Sequence, residues 1–361
     1  MALMLATKAL TMGIKVTILS EHETDPAIKA ASKWLKGSTN DIKLIKKLCK
    51  CSDVVTYESE FVDPKVQEKL FKYVEKVDSA CIYPSPQIML LLSDRLSQKN
   101  LLAKYKIPTS PFFEVGSGSG SLKEISRLGY PCVIKARRGG YDGKGTYIAK
   151  RENDKKLFSF VQNLPAGAIA EGFIPFKKEL AISLARTPDG AVQFLPLVET
   201  KQEDYRCLWV KGPIESHPAL TSLKSKLKKF VEGTGYVGLI SFELFDTGKE
   251  LLVNEIAPRV HNSAHYSQNA LTVDQFEMHL RAILNADLPS PKSLAGGFAM
   301  YNLIGSNEKE PVINYHSSVF THWYGKSQNR KGRKMGHINA LGSSASAALS
   351  KVKKARKDFK L

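Results

Sequence analysis

Short apolar runs alternate with amphipathic stretches along this chain, and the alternation predicts its architecture. Residues 14–19, 53–57 and 79–83 are compact runs of the length and character of buried parallel strands. Between them, residues 41–50 and 64–77 carry apolar side chains at helical spacing. Asp41 and Asp63 stand where an N-cap accepts from the first free amides, and Pro64 follows at the first helical position. This order predicts a doubly wound parallel sheet with right-handed crossovers over residues 1–93. Residues 94–293 read as an α+β region, with the glycine–serine stretch 116–121 as a flexible loop inside it. From residue 294 to 361, β-rich stretches at 297–303, 319–323 and 336–340 predict a small β-domain. It closes in a basic helix with a solvated or frayed end.

Two places in that pattern carry chemistry. Near residue 250, two apolar runs flank the turn Asp246-Thr247-Gly248-Lys249, a hairpin signal, and each run contains one acid, Glu243 or Glu255. Adjacent antiparallel strands bring such residues within reach on one face. Two carboxylates in an apolar setting repel and are costly to bury, and a divalent cation removes that cost. Asn254 adds a neutral oxygen beside them, and Mg²⁺ held by one or two carboxylates plus substrate phosphates fits the set. The alternative is a pair of half-exposed acids matched to lysines.

The second place is the loop Arg137-Arg138-Gly139-Gly140-Tyr141-Asp142-Gly143-Lys144-Gly145-Thr146, entered from a strand-like run that ends in Lys135. Glycines allow positive φ and turn amides toward phosphate oxygens, while the cationic side chains supply charge where a triphosphate would lie. It is not the common P-loop, because Lys144 stands where that motif needs its second glycine. An exposed hairpin turn carrying solvated charge is the competing interpretation.

Composition narrows the class. A chain of 361 residues with 43% hydrophobic content can bury two or three cores. No apolar run approaches the ~20 residues that span a bilayer. The N-terminus lacks a charged segment ahead of its apolar residues, which argues against a secretory signal. Cys49, Cys51, Cys81, Cys132 and Cys207 are odd in number and scattered, as suits free thiols in a reducing cytoplasm. The net charge of +18 raises the question of a nucleic-acid partner. Much of the excess falls on amphipathic helices and the tail, and no RNA- or DNA-binding motif accompanies it, which disfavours that partner.

The segments quoted so far, together with Glu171-Gly172-Phe173-Ile174-Pro175, Ser93-Asp94-Arg95-Leu96, Arg259-Val260-His261-Asn262, Tyr324-Gly325-Lys326 and Gly332-Arg333-Lys334-Met335-Gly336-His337, resemble the ATP-grasp superfamily. Within it they are most similar to the N5-carboxyaminoimidazole ribonucleotide synthetases, and they run in order along most of the chain. The resemblance implies an ATP-grasp enzyme, a cytoplasmic dimer of purine biosynthesis. It would carboxylate aminoimidazole ribonucleotide with bicarbonate at the expense of ATP, with Mg²⁺ or alternatively Mn²⁺. It also implies roles. Arg95 and Lys135 would meet the phosphates, with Gly140, Tyr141, Asp142, Gly143, Lys144, Gly145 and Thr146 closing over them. Glu171, Gly172, Phe173 and Ile174 would present backbone groups to adenine, Glu179 would bind ribose, and Asn254 and Glu255 would complete the nucleotide site. Glu243 and Glu255 would hold the metal. Arg259, His261, Asn262 and Lys326 would hold the carboxyl donor. Glu60, Tyr141, Asp142, Lys144, Lys326 and Arg333 would contact the ribonucleotide.

The family often has histidine at one nucleotide position where this chain reads Val198-Glu199-Thr200-Lys201-Gln202, so that contact is not carried over. Family members also begin with a strand and a glycine-rich turn, whereas Met1 here falls inside the first helix. The first sheet is therefore expected to lack that strand, either because the start lies upstream or because the chain is a truncated product. A formate-activating relative of the same superfamily and a basic, non-catalytic nucleic-acid binder are the rival interpretations.

Overall fold

The computed structural model describes residues 1–76, 81–116, 125–140, 143–152, 154–306 and 309–361. Its N-terminal region runs α1 (Ala2–Thr11), β1 (Thr17–Ser20), β2 (Lys33–Lys36), α2 (Ile42–Lys50), β3 (Val54–Thr56), α3 (Pro64–Val74) and β4 (Cys81–Tyr83). Both expected caps form. The Asp41 carboxylate accepts from the Lys43 and Leu44 amides, and Asp63 accepts from the Lys65 amide. β2 escaped the pattern reading because lysines flank only Trp34 and Leu35, too short an apolar run to register.

The single doubly wound sheet expected here is instead two parallel pairs, β1 with β2 and β3 with β4. No strand among the described residues joins them. Val16, Val54 and Tyr83 pack instead on a core that includes Leu5 and Ala9 of α1.

Two further helices, α4 (Pro86–Leu92) and α5 (Arg95–Lys104), lead into an antiparallel four-stranded sheet. Its strands are β5 (Phe112–Val115), β6 (Cys132–Ala136), β7 (Thr146–Ala149) and β8 (Ala168–Gly172), ordered β5–β8–β6–β7. Helix α6 (Lys155–Gln162) covers it with Leu157 and Val161. Of the glycine–serine stretch, residues 117–121 lie outside the described residues.

Among the described residues the larger sheet has nine strands. It collects β9 (Lys178–Arg186), β10 (Val192–Phe194), β11 (Val198–Glu203), β12 (Arg206–Gly212), β13 (Gly238–Asp246) and β14 (Leu251–Ala257). Helix α7 (Leu220–Thr234) places Leu223, Leu227, Phe230 and Val231 on one face at helical spacing. It ends where Gly235 takes the left-handed conformation (φ 68°) that a residue with a Cβ disfavours. Its apolar face buries against Ile182, Ile240 and Phe242, and Phe230 meets Tyr105 and Phe242 edge-on. After α8 (Ser267–Ala270) and α9 (Gln275–Ile283), the last strands β15 (Gly297–Ile304), β16 (Phe320–Trp323) and β17 (Lys334–Gly342) complete the sheet. The strand order is β14–β13–β9–β11–β12–β15–β17–β16, with β10 beside β9.

The expected C-terminal β-stretches are thus one end of a continuous sheet. Its final helix, α10 (Ala345–Arg356), is neither frayed nor free. Ala348, Val352 and Ala355 bury against β15 and β17, and Phe359 and Leu361 follow them into the core. The lysines that suggested solvation occupy the opposite face of the same helix.

Phe230 is fully buried, so Phe230→Ala is expected to lower the unfolding free energy by about 3–5 kcal/mol. A shift of the urea midpoint measures this, and a shift equivalent to less than ~1 kcal/mol would contradict the packing described.

Candidate functional site

A cleft of about 1080 Å³ opens between the small sheet, the β13–β14 hairpin, and the ends of α1 and β1. The hairpin forms its floor. Antiparallel pairing puts Glu243 directly opposite Glu255, with a register shift just beyond Glu243. Both acids line the cleft, and 34% of the Glu243 side chain stays open to it. Burial, then Glu255 and Glu179, push the Glu243 carboxyl up to about 7. His261 Nε2 lies 3.7 Å from Glu243, and burial holds that imidazole well below its ordinary pKa, so it faces the acid as a neutral group. Glu255 is answered by Arg95, whose Nη2 lies 2.9 Å from Oε1. Among the described residues no third His, Cys, Asp or Glu joins a metal-binding cluster here. The floor is therefore a set of two carboxylates.

The loop connecting β6 and β7 forms one wall. Arg95 ties it down, donating from Nη1 to the Ala136 carbonyl (2.9 Å) and from Nη2 to the Gly140 carbonyl (2.8 Å). Gly140, Gly143, Lys144 and Thr146 line the cleft, while Tyr141 and Asp142 lie outside the described residues. Gly145 does not line it. A Cβ there would stand 2.9 Å from that of Ala136, and its carbonyl accepts from the Ala136 amide (2.7 Å). This glycine serves a close hairpin approach. Arg137 and Arg138 are also spent structurally. Their guanidiniums ion-pair with Asp94 at 2.8 and 3.2 Å, fastening the loop to the cap of α5.

Beside the loop, Lys135 donates to Asn254 Oδ1 (2.9 Å) and ion-pairs with Glu171 (3.2 Å). The Glu171 side chain is turned inward and only 3% of the residue is exposed, while Gly172, Phe173 and Ile174 run on along the cleft. Burial would raise the Glu171 carboxyl, but Lys135, Lys99 and a hydrogen bond from Ser110 outweigh it and hold it at about 2. Glu179 also faces the cleft, its pKa raised by burial. Gln202 stands there too, in the segment without a histidine. Phe176 and Phe245, both lining residues, stack at 4.6 Å.

At the other end, Arg259 follows the hairpin directly and is held by Glu60 in two hydrogen bonds, one of 2.8 Å. Asn262 exchanges side-chain hydrogen bonds with Asn302 of β15 (3.0 and 2.7 Å). Lys326 lines the cleft and donates to the Lys334 carbonyl (2.7 Å), with Nζ 5.5 Å from the Tyr324 ring centre. Arg333 does not line it, and its Nη1 donates to the Gln328 carbonyl (2.8 Å). Lys334 takes its place in the cleft wall. Lys334 opens β17, whereas Arg333 belongs to the turn before it, where its amide donates to the Arg330 carbonyl (3.0 Å).

Sequence reasoning missed Lys99, Asn302, Lys334 and a buried stack of histidines. His265 and His322 lie 4.8 and 4.5 Å from His337, and Tyr324 hydrogen-bonds its Nδ1 (2.8 Å). The signal was partial, since Lys334 and His337 sit inside a motif already quoted.

An acid whose pKa is raised by folding costs stability once it ionises. The Glu243 cost therefore develops as pH rises from 4.5 toward about 7. Glu243→Gln is expected to raise the thermal midpoint of the ligand-free protein near pH ~8, with the gain vanishing below pH ~4.5. A midpoint difference that does not vary with pH would refute this.

Comparisons with known proteins agree along most of the chain. Residues 1–91 match the ribonucleotide synthetase preATP-grasp domain, residues 100–276 the ATP-grasp domain, and residues 299–351 the phosphoribosylaminoimidazole carboxylase C-terminal domain. The N5-carboxyaminoimidazole ribonucleotide synthase of Synechococcus elongatus is 35% identical over 357 residues, covering 96% of this chain and 88% of that protein. The N5-carboxyaminoimidazole synthetase of Staphylococcus aureus complexed with ADP superposes with a TM-score of 0.88 at 29% identity, covering 98% of this chain and 94% of that one. The Aspergillus clavatus N5-carboxyaminoimidazole synthase, in complex with ADP and 5-aminoimidazole ribonucleotide, gives a TM-score of 0.83 at 27% identity over 98% and 95% of the two chains.

Proposed function

The chain belongs to the N5-carboxyaminoimidazole ribonucleotide synthase family of ATP-grasp ligases, and we propose the following use of its cleft. ATP activates bicarbonate, whose oxygen attacks the γ-phosphorus as the bond to ADP breaks. The 5-amino group of aminoimidazole ribonucleotide then attacks the carboxyl carbon. Phosphate leaves, the amine loses a proton, and N5-carboxyaminoimidazole ribonucleotide forms. The observation that carries this reading is the cross-strand pair Glu243 and Glu255, with Arg95 and Lys135 converging on the same floor.

In this reading Lys135, Arg95 and the 140–146 loop meet the phosphates, and the segment from Glu171 to Ile174 reads the adenine edge through its backbone. Glu179 accepts from the ribose hydroxyls. Mg²⁺, or Mn²⁺, would be held by Glu243 and Glu255 and would offset charge on the β- and γ-phosphates. Arg259, His261, Asn262 and Lys326 hold the carboxyl donor next to the γ-phosphate. His261, neutral and 3.7 Å from Glu243, offers a hydrogen bond there without adding charge. Glu60 reaches the ribonucleotide only by sharing or releasing Arg259, so the two substrates meet at one ion pair. Lys326 takes the ribonucleotide phosphate, and Lys334 joins it where Arg333 was expected. Closure of the loop keeps water from the activated carboxyl. We further propose a cytoplasmic homodimer, in keeping with the free thiols of Cys49, Cys51, Cys132 and Cys207.

Phosphate release from Mg·ATP and bicarbonate is expected to rise strongly on adding aminoimidazole ribonucleotide, and formate is expected not to replace bicarbonate. Formate-dependent turnover would favour the transformylase chemistry. Glu255→Gln is expected to lower turnover by more than the ~10–100-fold that loss of an outer-shell metal partner causes. Near-normal turnover in that variant would remove the metal assignment. Lys326→Met should raise the KM for the ribonucleotide, whereas Arg333→Ala should leave it within about threefold of the parent. A reversed order would return Arg333 to the site.

A further inference from the structure

We infer that Lys99, a buried cation outside the cleft lining, is a positioning residue for triphosphate binding, acting by sharing the charge of Glu171 so that Lys135 keeps its own for the nucleotide. The inference rests on the assignment of Lys135 to the phosphates.

Lys99 sits on α5 with 2% of its surface exposed. Its ammonium donates to Thr109 Oγ1 (2.6 Å), Ser110 Oγ (3.0 Å) and the Val253 carbonyl (3.4 Å), and lies 3.2 Å from Glu171 Oε2. The other oxygen of that carboxylate, Oε1, lies 3.2 Å from Lys135 Nζ. One carboxylate is thus divided between two lysines, and the row Lys99–Glu171–Lys135 carries one net positive charge. Lys99 and Ser110 hold the far oxygen, Oε2, so Lys135 can turn toward a ligand while Glu171 keeps one counter-ion. Remove Lys99, and Lys135 becomes the sole counter-ion of a buried carboxylate. A triphosphate would then have to compete with Glu171 for it. Burial lowers the Lys99 pKa to about 8, with Glu171 opposing the shift, as expected of a lysine kept charged by its partner. The contact with the Val253 carbonyl also ties this row to β14, one residue before Asn254, which accepts from Lys135.

The test is calorimetric binding of ATP and of adenosine to the full chain and to Lys99→Met and Lys99→Met/Glu171→Gln. Lys99→Met is expected to weaken ATP on the order of tenfold while moving adenosine by less than about threefold. The double variant, which removes anion and cation together, is expected to return ATP to within about threefold of the parent. If Lys99→Met does not fold, the double variant alone decides: folded with tenfold weaker ATP binding, it overturns the inference. Equal losses for ATP and adenosine, or an unaffected Lys99→Met, overturn it as well. Failure of the underlying assignment shows differently, as a parent chain that does not bind ATP or a Lys135→Met variant that binds it normally.

Discussion

Pairing of β13 with β14 sets the rest of the cleft. A sheet has a side-chain period of two, so a slip of one residue between these strands would send one acid to the opposite face. The register Glu243 to Glu255 is held from both sides. Phe242 and Ile256, the neighbours of the two acids, point into the core under α7, and β9 pairs along the entire length of β13. The apolar face thus fixes which residues cannot be in the cleft, and the acids take the positions left over. Their mutual repulsion is the cost of that geometry, and the sheet is deep enough to impose it.

Cations around the cleft are matched to carboxylates of the chain itself. Arg95 answers Glu255, Arg137 and Arg138 answer Asp94, Arg259 answers Glu60, and Lys135 shares Glu171 with Lys99. Anionic substrates therefore exchange partners with carboxylates already present, which costs less reorganisation than gathering mobile surface lysines. The net charge of +18 lies largely elsewhere, on helix faces such as Lys43, Lys47 and Lys50 of α2 or Lys228 and Lys229 of α7. There it favours solubility and leaves the fold unchanged.

Much of this was legible in the chain because the relevant signals are local. The caps at Asp41 and Asp63, the hairpin with its two acids, and the glycine loop after Lys135 each occupy a few consecutive residues. What was not legible depends on contacts between distant segments. Nothing near Lys99 says that Glu171 and Val253 will close around it, and Asn302 gains its meaning only when β15 brings it to Asn262. Arg333 and Lys334 were indistinguishable as neighbours until the fold put Lys334 in the cleft wall and tied Arg333 to the Gln328 carbonyl. The tail was misjudged for a related reason: its lysines dominate the composition, while the small residues Ala348 and Ala355 that dock it carry little signal.

The merging of the C-terminal strands into the large sheet also constrains how the molecule is made. A ribosome delivers β11 and β12 well before β15, so β12 emerges with an unpaired edge. Lys326 and Lys334 reach the cleft only after the chain has been released into β17. The cleft floor on β13 and β14 is therefore made first, and the wall that carries Lys326 and Lys334 is added to it. A chain stalled between the two would expose the β12 edge to its neighbours on the polysome, which makes prompt completion of the last strands a requirement of clean synthesis.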